Sequence, residues 1–160
     1  MLDLEKILRI LIENKVEFII VGGYASIIHG ASYVTKDLDI CVNFSEENAS
    51  RILKAIAPYH PVHRMHPETP PLHETPRSLS NYRNLYLHTD LGDVDMLGEI
   101  TGLGKFHDLV HSSIEVELYG KTCRVLDINA LIVSKKALAR PKDNHVIVQL
   151  EAIKEELDKS

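Results

Sequence analysis

Cysteine is scarce in this chain. Cys41 and Cys123 are the only two among 160 residues. They show no short metal-ligand spacing, and a chain of this size needs no disulfide to hold a core. That excludes a disulfide scaffold and makes a reducing, cytoplasmic setting the expectation. Long apolar runs are missing too. No stretch approaches the roughly 20 residues of a membrane helix, and the acidic, helix-like start Met1-Leu2-Asp3-Leu4-Glu5 does not read as a signal peptide. Excess positive charge is also missing. A formal net charge of -5 argues against coating nucleic acid through overall charge, while leaving a local basic face open. No internal repeat is visible. What remains is ordinary globular composition, 44% hydrophobic and 26% charged, and a length that predicts one domain over 1–160.

The apolar pattern predicts a mixed α/β (α+β) fold, with helices packed around a mixed β-sheet. Leu4, Ile7, Leu8, Leu11 and Ile12 recur at helical spacing. Val16 to Val21 reads as a buried strand, stopped by Gly22-Gly23, and Tyr24 to His29 as a short helix closed by Gly30. Lys36 to Asn43 alternates as a strand. Ser45 looks like the N-cap of a helix to about Ala57. Pro58 to Ser78 holds all but one of the prolines and several histidines, and reads as a long irregular loop. Arg83 to Thr89 and Gly92 to Leu97 follow as a hairpin, Gly98 to Gly104 as loop, and Ile114 to Leu118 with Thr122 to Leu126 as a second hairpin. The carboxy-terminal segment, about 127–157, is helical: one helix capped by Asp127, a break at Arg140-Pro141, and a last helix from Lys142 to about Leu157.

Chemistry concentrates in three acidic positions. Asp37 and Asp39 lie on one face of the alternating strand, with Cα atoms roughly 6–7 Å apart. Two carboxylates so spaced can converge on a hard cation, and magnesium prefers oxygen ligands. Alone, an Asp-x-Asp on a strand is equally the solvated face of a sheet edge. Asp93-Val94-Asp95 repeats the alternation on a second strand. If the two strands pair, the crowded carboxylates cost stability unless a cation neutralises them. Asp95, inside its strand, suits a third ligand better than Asp93 beside the turn.

Gly22-Gly23, after a strand and opening a helix, lets backbone N–H groups approach a phosphate, and Ser26, one turn in, can offer a hydroxyl. The same glycines also suit a tight turn that binds nothing. Lys121, Arg124, Lys135, Lys136, Arg140 and Lys142 face Asp127 alone over 121–142. Lys135 could meet a triphosphate as a point charge. Arg140 could reach phosphate or pair locally with Asp143. His60, His63, His66 and His73 match no zinc spacing, so their loop is read as exposed and proline-stiffened, with a flap over the acceptor as its functional alternative. His29 reads as a structural helix end.

Together these blocks resemble the DNA polymerase β-type nucleotidyltransferase superfamily, and within it the small bacterial minimal and abortive-infection-toxin-like members. The resemblance rests on Val21-Gly22-Gly23-Tyr24-Ala25, His29-Gly30, Thr35-Lys36-Asp37-Leu38-Asp39, Val94-Asp95-Met96-Leu97, and Leu131-Ile132, Lys135 and Arg140-Pro141-Lys142-Asp143 in order. It implies a nucleotidyltransferase fold from about Leu4 to Leu157. It also implies Mg2+, or Mn2+, on Asp37, Asp39 and Asp95, with the last helping to activate an acceptor hydroxyl. Nucleoside triphosphate would rest on Gly22, Gly23 and Ser26, with Lys135 as a further phosphate contact. The acceptor could be a protein, a tRNA or a small molecule. Tyr33 departs from the pattern, since related sequences often carry arginine there. The alternative is a non-catalytic nucleotide-binding or regulatory module, half of a toxin–antitoxin pair with a small antitoxin partner. Edge strands would also allow a homodimer.

Overall fold

The computed structural model describes residues 2–160; Met1, where the sequence reading begins, lies outside them. Helix α1 (Leu4–Glu13) starts where the Asp3 side chain accepts from the Lys6 N–H, and buries Ile7, Leu8 and Leu11. It leads to β1 (Phe18–Val21), whose four residues are all buried. That strand passes without a loop into α2 (Gly22–Ile28). Strand β2 (Asp37–Val42) precedes α3 (Glu46–Ile56), which Ser45 caps by accepting from the Asn48 N–H. Then come β3 (Val62–His63), α4 (Pro76–Leu79), β4 (Asn84–Thr89), β5 (Gly92–Leu97), β6 (Glu99–Ile100) and β7 (Gly104–Lys105). The rest is α5 (Phe106–Val110), β8 (Ser113–Leu118), β9 (Lys121–Leu126), α6 (Ile128–Leu138) and α7 (Asn144–Asp158). Asp127 caps α6 by accepting from the Ala130 N–H.

Seven strands form one mixed sheet in the order β3-β4-β5-β2-β1-β9-β8. The neighbours β2–β5 and β1–β9 run parallel, and the other pairs antiparallel. The central strands supply the core: Ile19, Ile20, Leu38, Ile40, Leu87, Val125 and Met96 have no exposure. Helix packing seals it with Leu8, Leu11, Ile52 and Leu131. No helix among the described residues is long and apolar enough to cross a membrane.

Three segments differ from the sequence reading. The proline-rich stretch 58–78 is not wholly irregular. Its β3 pairs with β4, placing Val62 opposite His88, and the chain folds back so that the His63 N–H donates to the Pro70 carbonyl at 2.9 Å. A two-residue strand leaves no detectable alternation, and α4 is a single turn capped by Thr75. Residues 98–104 hold the small β6–β7 ladder rather than loop alone. The last helix starts at Asn144 after a 3-10 turn at Pro141–Asp143, and Leu157 is exposed because α7 outruns the core beyond Ile153.

Candidate active site

Strand alternation and parallel register build the acidic cluster. Pairing of β2 with β5 sets Asp37 beside Asp93 and Asp39 beside Asp95. The residues between them, Leu38 and Val94, point into the core, so the carboxylates must share the opposite face. Asp37, Asp39 and Asp95 each bring a carboxylate oxygen within 4.8 Å of the others. Asp93 is drawn aside, its Oδ1 accepting a hydrogen bond from His88 Nδ1 at 2.6 Å. The next residue on that face of β2, Cys41, is fully buried, and burial pushes its thiol up to about 12. The polar face therefore ends at Asp39, and the neutral thiol adds no ligand.

The electrostatics suit a missing positive charge. Burial first, then the charge of Asp95 and after it that of Asp37, push the Asp39 carboxyl up to about 7, with Arg64 pulling the other way. Asp37 is also raised, by burial and by Asp95, against the opposing pull of Arg64. A set of hard oxygen donors that repel one another in this way fits a divalent cation, which would lower both.

The glycine turn lies against this cluster. Gly22 has φ +67°, and a Cβ placed there would overlap Asp39 Oδ2 and come within 2.9 Å of the Asp39 Cβ. Both conformation and space therefore demand glycine. A Cβ on Gly23 would strike the Tyr33 ring, reaching 3.1 Å from Cδ1. No side chain caps the start of α2. Gly22→Ala is expected to cost roughly 2–4 kcal/mol, from the left-handed backbone and the overlap together. Urea unfolding of the variant measures it.

Other candidates sit elsewhere. Ser26 is fully buried and its hydroxyl donates to the Gly22 carbonyl at 3.3 Å. It braces the turn from behind, its hydroxyl engaged with a backbone carbonyl. Lys135 is 3% exposed. Its Nζ lies 3.7 Å from Asp143 Oδ1 and 5.8 Å from the centre of the Tyr33 ring. Burial lowers its pKa, while Asp143 and, more weakly, Asp39 hold the proton on. The lysine thus lies buried under Tyr33, because the helix that carries it turns this residue to the core. Arg140 Nε donates to Asp143 Oδ2 at 2.7 Å, so of its two sequence readings the structure contains the local pair.

One residue of the site was not anticipated. Arg64, from the turn after β3, forks onto both carboxylate oxygens of Asp95. It also lies 3.7 Å from Asp37 Oδ2 and 3.8 Å from Asp93 Oδ2. The bond to Asp95 raises its pKa further. The proline-rich segment therefore does reach the cluster, but through an arginine and not through its histidines. His60 instead pairs with Asp90 at 2.6 Å, and His63 stacks on Tyr82. The available signal was the one arginine between His60 and His73, Arg64 beside His63 and Met65.

With this sheet order and these paired strands, the chain has a nucleotidyltransferase fold. It is similar over its full length to a crystal structure from Thermotoga maritima, of a protein provisionally named a nucleotidyltransferase. The TM-score is 0.56 at 20% identity, covering 100% of this chain and 97% of that one. No family model matches the sequence, and no curated protein does.

Proposed function

We propose that the chain is a nucleotidyltransferase that moves a nucleoside monophosphate from a triphosphate to an acceptor hydroxyl. The observation that carries this reading is the carboxylate cluster itself: three oxygens within 4.8 Å, from Asp37, Asp39 and Asp95. The full-length likeness in fold supports it. Magnesium or manganese held by these three residues would neutralise triphosphate charge and polarise the α-phosphate.

The chain's own groups would do the rest. The bare backbone at Gly22 and Gly23 lets a phosphate approach the start of α2. Asp95, at the outer strand of the pair, would orient the acceptor hydroxyl and receive its proton. The acceptor oxygen bonds to the α-phosphorus while the bond from that phosphorus to the β-phosphate oxygen breaks, and pyrophosphate leaves. Catalysis by this route is mostly positioning and charge placement. Lys135, Tyr33 and Asp143 would act from below by fixing the glycine turn. The motifs of the toxin-like members are carried by sequence alone, and protein, tRNA and small molecules all remain acceptors to be tried.

The test is transfer from each of the four α-labelled triphosphates, with Mg2+, onto proteins, tRNA and small molecules. Wild type is expected to label one acceptor class, and Asp37→Asn to lower the rate at least roughly hundredfold. Labelling that survives the substitution unchanged would sink the proposal.

A further inference from the structure

We propose that Arg64 is a resident counter-ion that a divalent cation must displace: its guanidinium holds the carboxylate cluster in the cation-free form and is exchanged for the metal as the site loads. The inference rests on the reading of the cluster as a cation site.

Geometry carries it. Nη1 and Nη2 engage both oxygens of Asp95, the second at 3.1 Å. A cation held by Asp37, Asp39 and Asp95 would need one of those oxygens. A fork of two parallel charge-assisted bonds commits them to the arginine. The same guanidinium stands 3.7 Å from Asp37 and 3.8 Å from Asp93. It is the only lysine or arginine within 4 Å of these four carboxylates among the described residues. Its single positive charge serves a group of four carboxyls, so it stabilises the cluster without matching it, and a divalent ion at the same place does better.

The route out is short. Arg64 is tied by backbone, its N–H donating to the Tyr86 carbonyl at 3.1 Å. Its segment is closed on itself by the bonds from His63 to Pro70 and from Leu72 to Pro61. The side chain, 21% exposed, lies over the Tyr86 ring with Cζ 5.6 Å from the centroid. Leaving Asp95 therefore takes rotation of side-chain torsions, not unfolding of the segment.

The experiment is a titration with Mn2+ alone, followed by paramagnetic resonance of the free ion, at fixed pH and ionic strength and without nucleotide. Arg64→Met is expected to bind Mn2+ about tenfold tighter than wild type, since the competing charge-assisted bonds are gone. Arg83→Met, which removes one exposed positive charge elsewhere, should stay within about twofold. If Arg64→Met does not fold, Arg64→Lys carries the test. It keeps the charge but loses the fork, and should bind about threefold tighter. In wild type, saturating Mg2+ should move the Arg64 Nε–H nuclear resonance toward its solvent-exposed position. Equal or weaker Mn2+ binding by the Arg64 variants, or an Arg64 resonance unmoved by bound Mg2+, overturns the exchange and leaves the cation site standing. No Mn2+ binding by any of these proteins overturns both.

Discussion

Asp39→Asn is expected to make the metal-free protein more stable at pH 8 and to abolish the proposed nucleotidyl transfer. The Asp39 carboxyl is pushed up to about 7 from 3.8, by burial and by Asp95 and Asp37. A carboxyl whose folded pKa exceeds its unfolded value holds its proton more tightly in the folded state. Its favourable contribution is complete below the unfolded pKa, near 3.8, and is lost as pH rises through about 7. Above that, the folded protein keeps a charge that its surroundings resist. An amide of the same shape removes the cost, on the order of 2 kcal/mol, or roughly 5 °C in melting temperature for a chain of this length. The gain should vanish below pH 3.8. Excess Mg2+ should raise the melting temperature of wild type much more than that of the variant, because the amide offers a neutral oxygen in place of a charged one. The proposed transfer should fall at least roughly hundredfold. Scanning calorimetry at pH 8 and below pH 3.8, with and without Mg2+, measures the stability changes, and the labelled-triphosphate assay measures the transfer. A variant less stable than wild type at pH 8 without metal would refute the electrostatic description of the cluster.

The second large effect lies beneath the glycine turn. Asp143 is 1% exposed and serves two cations, Arg140 by a 2.7 Å bond and Lys135 by charge at 3.7 Å. Its Oδ1 has no hydrogen-bond partner, so the tie to Lys135 is electrostatic. Asp143→Ala leaves the Lys135 ammonium buried and unpaired, which is expected to cost about 3–5 kcal/mol, roughly 10 °C or more. Replacing both residues, Lys135→Met with Asp143→Leu, should recover most of the loss, because an apolar pair of similar volume removes both buried charges. Thermal unfolding of the two single variants and the double closes the cycle. The same double variant separates support from contact. If Lys135 only props Tyr33 and Gly23, nucleotide affinity should fall less than about tenfold; a larger fall in a stable protein would mean that Lys135 touches phosphate.

Much of this was written locally in the chain. The alternation of Asp37, Leu38, Asp39 and Ile40 announces a strand with both carboxylates on one face, and the caps Ser45 and Asp127 announce the helices they start. What stayed hidden depends on partners distant in the chain. Parallel pairing of β2 with β5 is a long-range choice, and only that pairing turns two acidic strands into one cluster. Burial of Ser26 and Lys135 follows from how α2 and α6 rotate against the sheet, which residue type alone does not encode. Arg64 was least visible, because β3 is two residues long and the bond that matters joins it to a strand it does not pair with.

The central claim is that Asp37, Asp39 and Asp95 hold a divalent cation beside the Gly22–Gly23 turn. A crystal structure with Mn2+ and a non-hydrolysable triphosphate, read by anomalous scattering at the manganese edge, addresses it most directly. The expected result is an anomalous peak bound by oxygens of all three carboxylates, triphosphate against the glycine turn, and Arg64 withdrawn from Asp95. Crystals saturated with Mn2+ and nucleotide that show no peak among these carboxylates, with Arg64 still forked on Asp95, would contradict it.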